Sequence, residues 1–174
     1  LILVFIIGSK PTRAPVLAMP YAACEGLFLG ALSAAMEVPY PGIVPQAIAL
    51  TMCTAAALLS AYATRLIKAT EIFKLGVAAA TGGILLVYVM TWILGFFGIG
   101  IPYIHGSGTI GIAFSVFVVI IAALNLVLDF DFIENGVERG APKFMEWVGA
   151  VGLMVTLVWL YIEILRLLSK LRSR

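Results

Sequence analysis

An all-α, polytopic bundle of membrane-crossing helices is the fold this sequence predicts. Three observations predict it. Of the 174 residues 63% are apolar, only 11% are charged, and the apolar residues fall in continuous runs. Those runs are each about as long as a bilayer crossing requires, some twenty residues. A soluble domain carries roughly a quarter charged residues. One core cannot hide this much apolar surface, so lipid must solvate the rest. Continuous runs, rather than alternating ones, select helices over barrel strands.

Residues 1–8, apolar and without a basic leader, read as the stub of a helix whose beginning is absent, not as a signal peptide. On this reading the chain is a fragment. Five membrane helices follow at 15–36, 43–64, 75–98, 109–128 and 144–168, all within a single transmembrane domain over 1–174. The breaks between them are short: 9–13, 38–42, 65–74, 99–108 and 134–143, nearly all punctuated by Gly or Pro. Cys24 and Cys53 lie inside apolar runs and read as small packing residues.

Lys and Arg in short loops set the orientation. Lys10, Arg13, Arg65, Lys68, Lys74, Arg139 and Lys143 all fall on one side, and the intervening loops 37–42 and 99–108 carry none. That side is expected to face the cytoplasm. The tail, with Arg166, Lys170, Arg172 and Arg174, breaks the pattern. Either the last helix is re-entrant, or it crosses and the internal loops overrule its tail; the loop charges favour crossing. Small residues four apart, Gly26, Gly30 and Ala34 on one helix and Ala79 and Gly83 on another, are expected to mark helix contacts.

Several function classes drop out. A net charge of +2 with scattered basic residues does not suit nucleic acid. His105 stands alone in an expected outer loop, no metal-ligand cluster or phosphate loop occurs, and no Ser–His pair is evident. Neither an enzyme nor a cofactor or resident metal is expected. The informative residues are the ionisable ones, because an acid inside a membrane helix costs roughly 2.5–3.5 kcal/mol and is functional by default. Glu25 lies about ten residues into its helix. It reads either as a carboxyl hydrogen-bonded to a neighbouring helix or as a cation-responsive group. Asn125 and Asp129, four apart, share a helix face, whereas Asp131 lies about 160° further round. Asp131, Glu134 and Glu138 suit a helix end in water. On the last helix Gly149, Gly152, Thr156, Trp159, Glu163, Arg166 and Lys170 follow spacings of three and four. Such a stripe belongs against protein or a water-filled path. Glu163 and Arg166, three apart, are also placed to neutralise one another.

Three segments carry a resemblance: YAACEGLFLG over 21–30, AALNLVLDFDFIE over 122–134, and WVGAVGL from Trp147, which continues into LYIEILRLL over 160–168. They resemble the Bax inhibitor-1/YccA family, and its bacterial branch most closely. The resemblance implies seven membrane helices with the last one central, and hence a first helix and most of a second missing here. It implies a bacterial inner or plasma membrane and a pH-sensitive leak of calcium, the transported ion. In the family an aspartate late in the sixth helix and another in the seventh share a proton and close the pore. Asp129 matches the first. Aligning Gly149-Ala150-Val151 and Arg166 with the family pattern puts Thr156 at the second. Glu163, the nearest acid, is about 10.5 Å further along the same face. The implied gating and ion-path residues are Asp129, Thr156 and Glu163, with Glu25, Asn125, Asp131 and Arg166 beside them. The alternative is a membrane interaction protein that restrains a membrane-bound AAA protease without conducting ions.

Overall fold

The computed structural model describes residues 2–97 and 108–173, so His105 and the rest of 98–107 lie outside the described residues, as does Arg174. The described residues form six helices and one 3-10 turn, and no strand. Helix α1 spans Ile2–Ser9 and leads through the turn Pro11–Arg13 into α2, Ala14–Glu37. Then come α3, Ile43–Ala63; α4, Glu71–Phe96; α5, Thr109–Glu138; and α6, Phe144–Arg172. The last five are each long and apolar enough to cross a membrane.

Local chemistry explains where the helices break. The link after α2 closes on Glu37, whose carboxylate accepts from the Gly42 and Val44 amides, the latter at 3.0 Å. Gly42 sits at φ 78°, which a residue with a Cβ adopts at a cost. At the end of α3 the Leu66 amide bonds the Ala61 carbonyl and the Arg65 amide bonds that of Tyr62, both at 2.9 Å. This is the paired closure of a left-handed helix end, here with Arg65 at φ 58° where glycine is usual. Thr70 caps α4 by accepting from the Phe73 amide. Pro20 inside α2 lacks an amide hydrogen, a loss that membrane bundles tolerate.

Helix α6 is central. It packs against α1, the 3-10 turn, α2, α3 and α5, whereas α4 packs on α5. The main core joins Ile43 and Ala47 of α3, Ala122 and Leu126 of α5, and Leu160, Tyr161, Ile164 and Leu165 of α6. A second cluster sets Ile7, Ala14, Ala18 and Tyr21 against Val151. Large apolar side chains such as Leu27, Ile72, Leu85 and Trp92 point outward, as lipid rather than water allows.

Three expectations need correction. First, α5 does not stop at Leu128 but runs ten residues on, because Gly140 at φ 61° is its first left-handed stop. Likewise α4 starts at Glu71 under its Thr70 cap rather than at Leu75, and α6 runs to Arg172. Second, α6 is one continuous helix, which overturns the re-entrant alternative. Its Arg172 guanidinium reaches the Pro41 carbonyl at 2.7 Å and Gln46 at 2.9 Å, so the tail ends beside the link 38–42. Third, Gly26, Gly30, Ala34, Ala79 and Gly83 are exposed, and no neighbouring atom lies within 4 Å of where a Cβ would stand on those three glycines. The close approaches belong to α6 instead. A Cβ on Gly149 would meet Ile133 Cγ1 at 3.0 Å, and one on Gly152 would meet Asp129 Oδ1 at 3.7 Å.

Gly149→Leu should therefore destabilise the bundle by about 1–3 kcal/mol through overpacking, whereas Gly26→Leu should leave the melting temperature in detergent unchanged or raised. With Cys24 and Cys53 replaced by Ala, single cysteines at Ser173 and Pro39 should label from the same face of intact cells, and one at Lys143 from the other.

Candidate functional site

The polar stripe of α6 turns toward the bundle, with Thr156, Glu163 and Lys170 buried and Arg166 partly exposed, and α4, α5 and α6 itself supply its partners. Near its middle Thr156 is buried, its hydroxyl shared between the Gly152 carbonyl at 3.3 Å and the Asp129 carboxylate. One oxygen of Asp129, Oδ2, is buried and has no hydrogen-bond partner. Asp129 is thus held by a single hydroxyl and by the close approach that Gly152 permits.

Two turns further on, Glu163 is among the most buried groups of the bundle, its side chain 2% exposed. Arg166 Nη1 donates to both its oxygens, at 3.0 and 3.2 Å. The Tyr88 hydroxyl, reaching in from α4, donates to Glu163 Oε1 at 2.9 Å and accepts from Arg166 at 2.8 Å. The guanidinium also lies over the Tyr88 ring, 5.3 Å from its centroid, and Phe114 packs edge-on against that ring. A carboxylate taken out of water is tolerable only when so completely matched. Lys170, one turn beyond, donates to the Gly111 carbonyl at 3.1 Å and the Ser115 hydroxyl at 2.9 Å on α5.

The other sequence-derived residues fall into two groups. Asn125 shares the α5 face with Asp129 but turns toward α4, donating to Thr81 Oγ1 and to the Ile121 carbonyl, both at 2.8 Å. Asp131 pairs with Lys74 of α4 at 2.8 Å, and Glu134 beside it accepts from Tyr62 of α3. Glu25 stands apart on α2, half-buried, its carboxyl facing the Tyr21 hydroxyl one turn earlier. None of the contacts described for it reaches Asp129, Thr156 or Glu163. Tyr88, Thr81 and Ser115 escaped the sequence reading. Their only signal was a hydroxyl within an apolar run, and many such hydroxyls bond their own helix, as Thr51 does with Ala47.

Helix α6 is thus central, with Glu163 buried on it and Asp129 of α5 set against it. The sequence model of the family described as Bax inhibitor 1 like matches residues 1–173. The chain belongs to that family. With its five long apolar helices it is a multi-pass integral membrane protein. No curated protein and no solved structure matches it. Within this Bax inhibitor 1 like chain the inward stripe of α6 is the candidate site, and Glu163, Arg166 and Tyr88 form its most completely bonded part.

Arg166→Leu should leave the Glu163 carboxylate buried with Tyr88 alone, costing about 3 kcal/mol in detergent unfolding. Tyr88→Phe should cost less, about 1–3 kcal/mol. Glu163→Leu combined with Arg166→Leu should recover much of the single-variant loss.

Proposed function

We propose that this Bax inhibitor 1 like protein is a passive cation leak, with calcium as the transported ion, gated where Asp129 of α5 meets Gly152 and Thr156 of α6. The membrane proposed is the bacterial inner, or plasma, membrane, on the likeness of the sequence to bacterial members. One observation carries the reading: Asp129 Oδ2 is buried without a hydrogen-bond partner. More than nine in ten buried polar groups are satisfied, and intramembrane acids mark ion and proton paths. That oxygen is one a proton or a passing cation would satisfy.

The groups around it suit transit rather than storage. A carboxylate, the Thr156 hydroxyl and the Gly152 carbonyl are hard oxygen donors of the kind calcium takes, but calcium needs six to eight. An ion there would keep much of its water, and weak holding is what a leak requires. Glu163 lies on the same stripe, but its oxygens are occupied by Arg166 and Tyr88, so it serves as a fixed wall of the path. With a hydroxyl opposite Asp129 in place of a second acid, the gate titrates as one group and not as a coupled pair.

Calcium flux through the full-length protein in dye-loaded liposomes tests this. Flux should follow a single-step pH profile, and Asp129→Asn should change the flux and flatten that profile. Thr156→Asp should split the profile into two steps. An Asp129→Asn protein with parental flux and parental pH profile would remove Asp129 as the gate.

A further inference from the structure

Lys170 stands near the end of α6, 8% exposed, and its partners include two neutral oxygens of α5: the Gly111 carbonyl and the hydroxyl of Ser115, itself buried. Carbonyl and hydroxyl oxygens around a buried positive charge are the surroundings a desolvated alkali cation takes. Anchoring the helix end does not account for the arrangement. Arg172, two residues on and exposed, already ties that end to Pro41 and Gln46. The helix dipoles do not account for it either, because the end of α6 favours a cation whereas the first turns of α5 disfavour one. Below it the same stripe continues through Arg166 and Glu163 to Thr156, which faces Asp129 of α5.

We propose that the Lys170 ammonium is a tethered cation: it fills a monovalent-cation site built from Gly111 and Ser115 at the end of the polar column remote from the basic loops, and so bars metal ions from entering there. The barring rests on the reading of the column as an ion path, whereas the oxygen site stands without it.

The test uses the full-length protein in detergent, in potassium chloride against choline chloride at equal ionic strength. Lys170→Ala empties the site, so potassium should raise its melting temperature by about 2–4 °C, with no such rise for the parent or Lys170→Arg. Adding Ser115→Ala to Lys170→Ala should abolish the rise. In the parent, potassium should compete with the ammonium for the same oxygens, so acylation of Lys170, read by mass spectrometry, should increase with potassium and not with choline. That measurement holds even if Lys170→Ala does not fold. Absence of a potassium effect in either assay overturns the proposal. In liposomes Lys170→Ala should raise calcium flux roughly tenfold, as removing a like charge beside a path allows. A potassium effect at Lys170 with flux indifferent to Asp129→Asn would sink the leak and spare the site; the reverse pattern would do the opposite.

Discussion

In a bilayer, a polar side chain on a helix has no water to fall back on, so another helix must meet it. This bundle is organised by that requirement on α6. Thr156, Glu163, Arg166 and Lys170 all lie on its inward stripe, and each has a partner on its own helix or on α4 or α5. The apolar remainder of α6 packs on α2 and α3, with Tyr161 hydrogen-bonded to Ser33 of α2 at 2.7 Å. The two sides of one helix thus define two sides of the molecule, one held by packing and one by matched charges.

The matched side also explains how α4 is held. It packs on α5, and its polar groups act as clasps: Lys74 to Asp131, Thr81 to Asn125, and Tyr88 to Glu163 and Arg166. The three clasps are spaced along the helix at seven-residue intervals, two turns apart, and so fall on one face. Of these three clasps, Tyr88 is the one whose described bonds reach the central helix. It does so with a group that donates and accepts at once, which suits a position between a carboxylate and a guanidinium.

Much of this was legible in the sequence because lipid imposes simple rules. Runs of about twenty apolar residues reveal the crossings, and the three- and four-residue spacing from Gly149 to Lys170 reveals an inward face. Asp129 and Thr156 were paired only through the family resemblance, since no spacing rule links residues on different helices. The small-residue stripes misled because Gly26 and Gly30 look the same in sequence as Gly149 and Gly152, although only the latter two have a neighbour at contact distance. Tyr88 and Ser115 were invisible for a related reason: whether a hydroxyl bonds its own backbone or a distant charge depends on which helix lies opposite. The apolar run of α5 ends at Leu128, but the helix continues through the acids that suit its end in water and stops before Gly140.

The thirty residues of α5 make a rod about 45 Å long against a hydrocarbon thickness of about 30 Å. Even at a slant of forty degrees, the steepest usually seen, it still reaches about 34 Å along the bilayer normal. Part of it must therefore emerge, and its acidic end, with Asp131, Glu134 and Glu138, is the part suited to do so. Counterions can gather around the Lys74–Asp131 pair there, whereas Glu163, its side chain 2% exposed, is buried beneath a partly exposed Arg166. The two ion pairs thus differ in their acids, one open to dissolved electrolyte and the other closed to it.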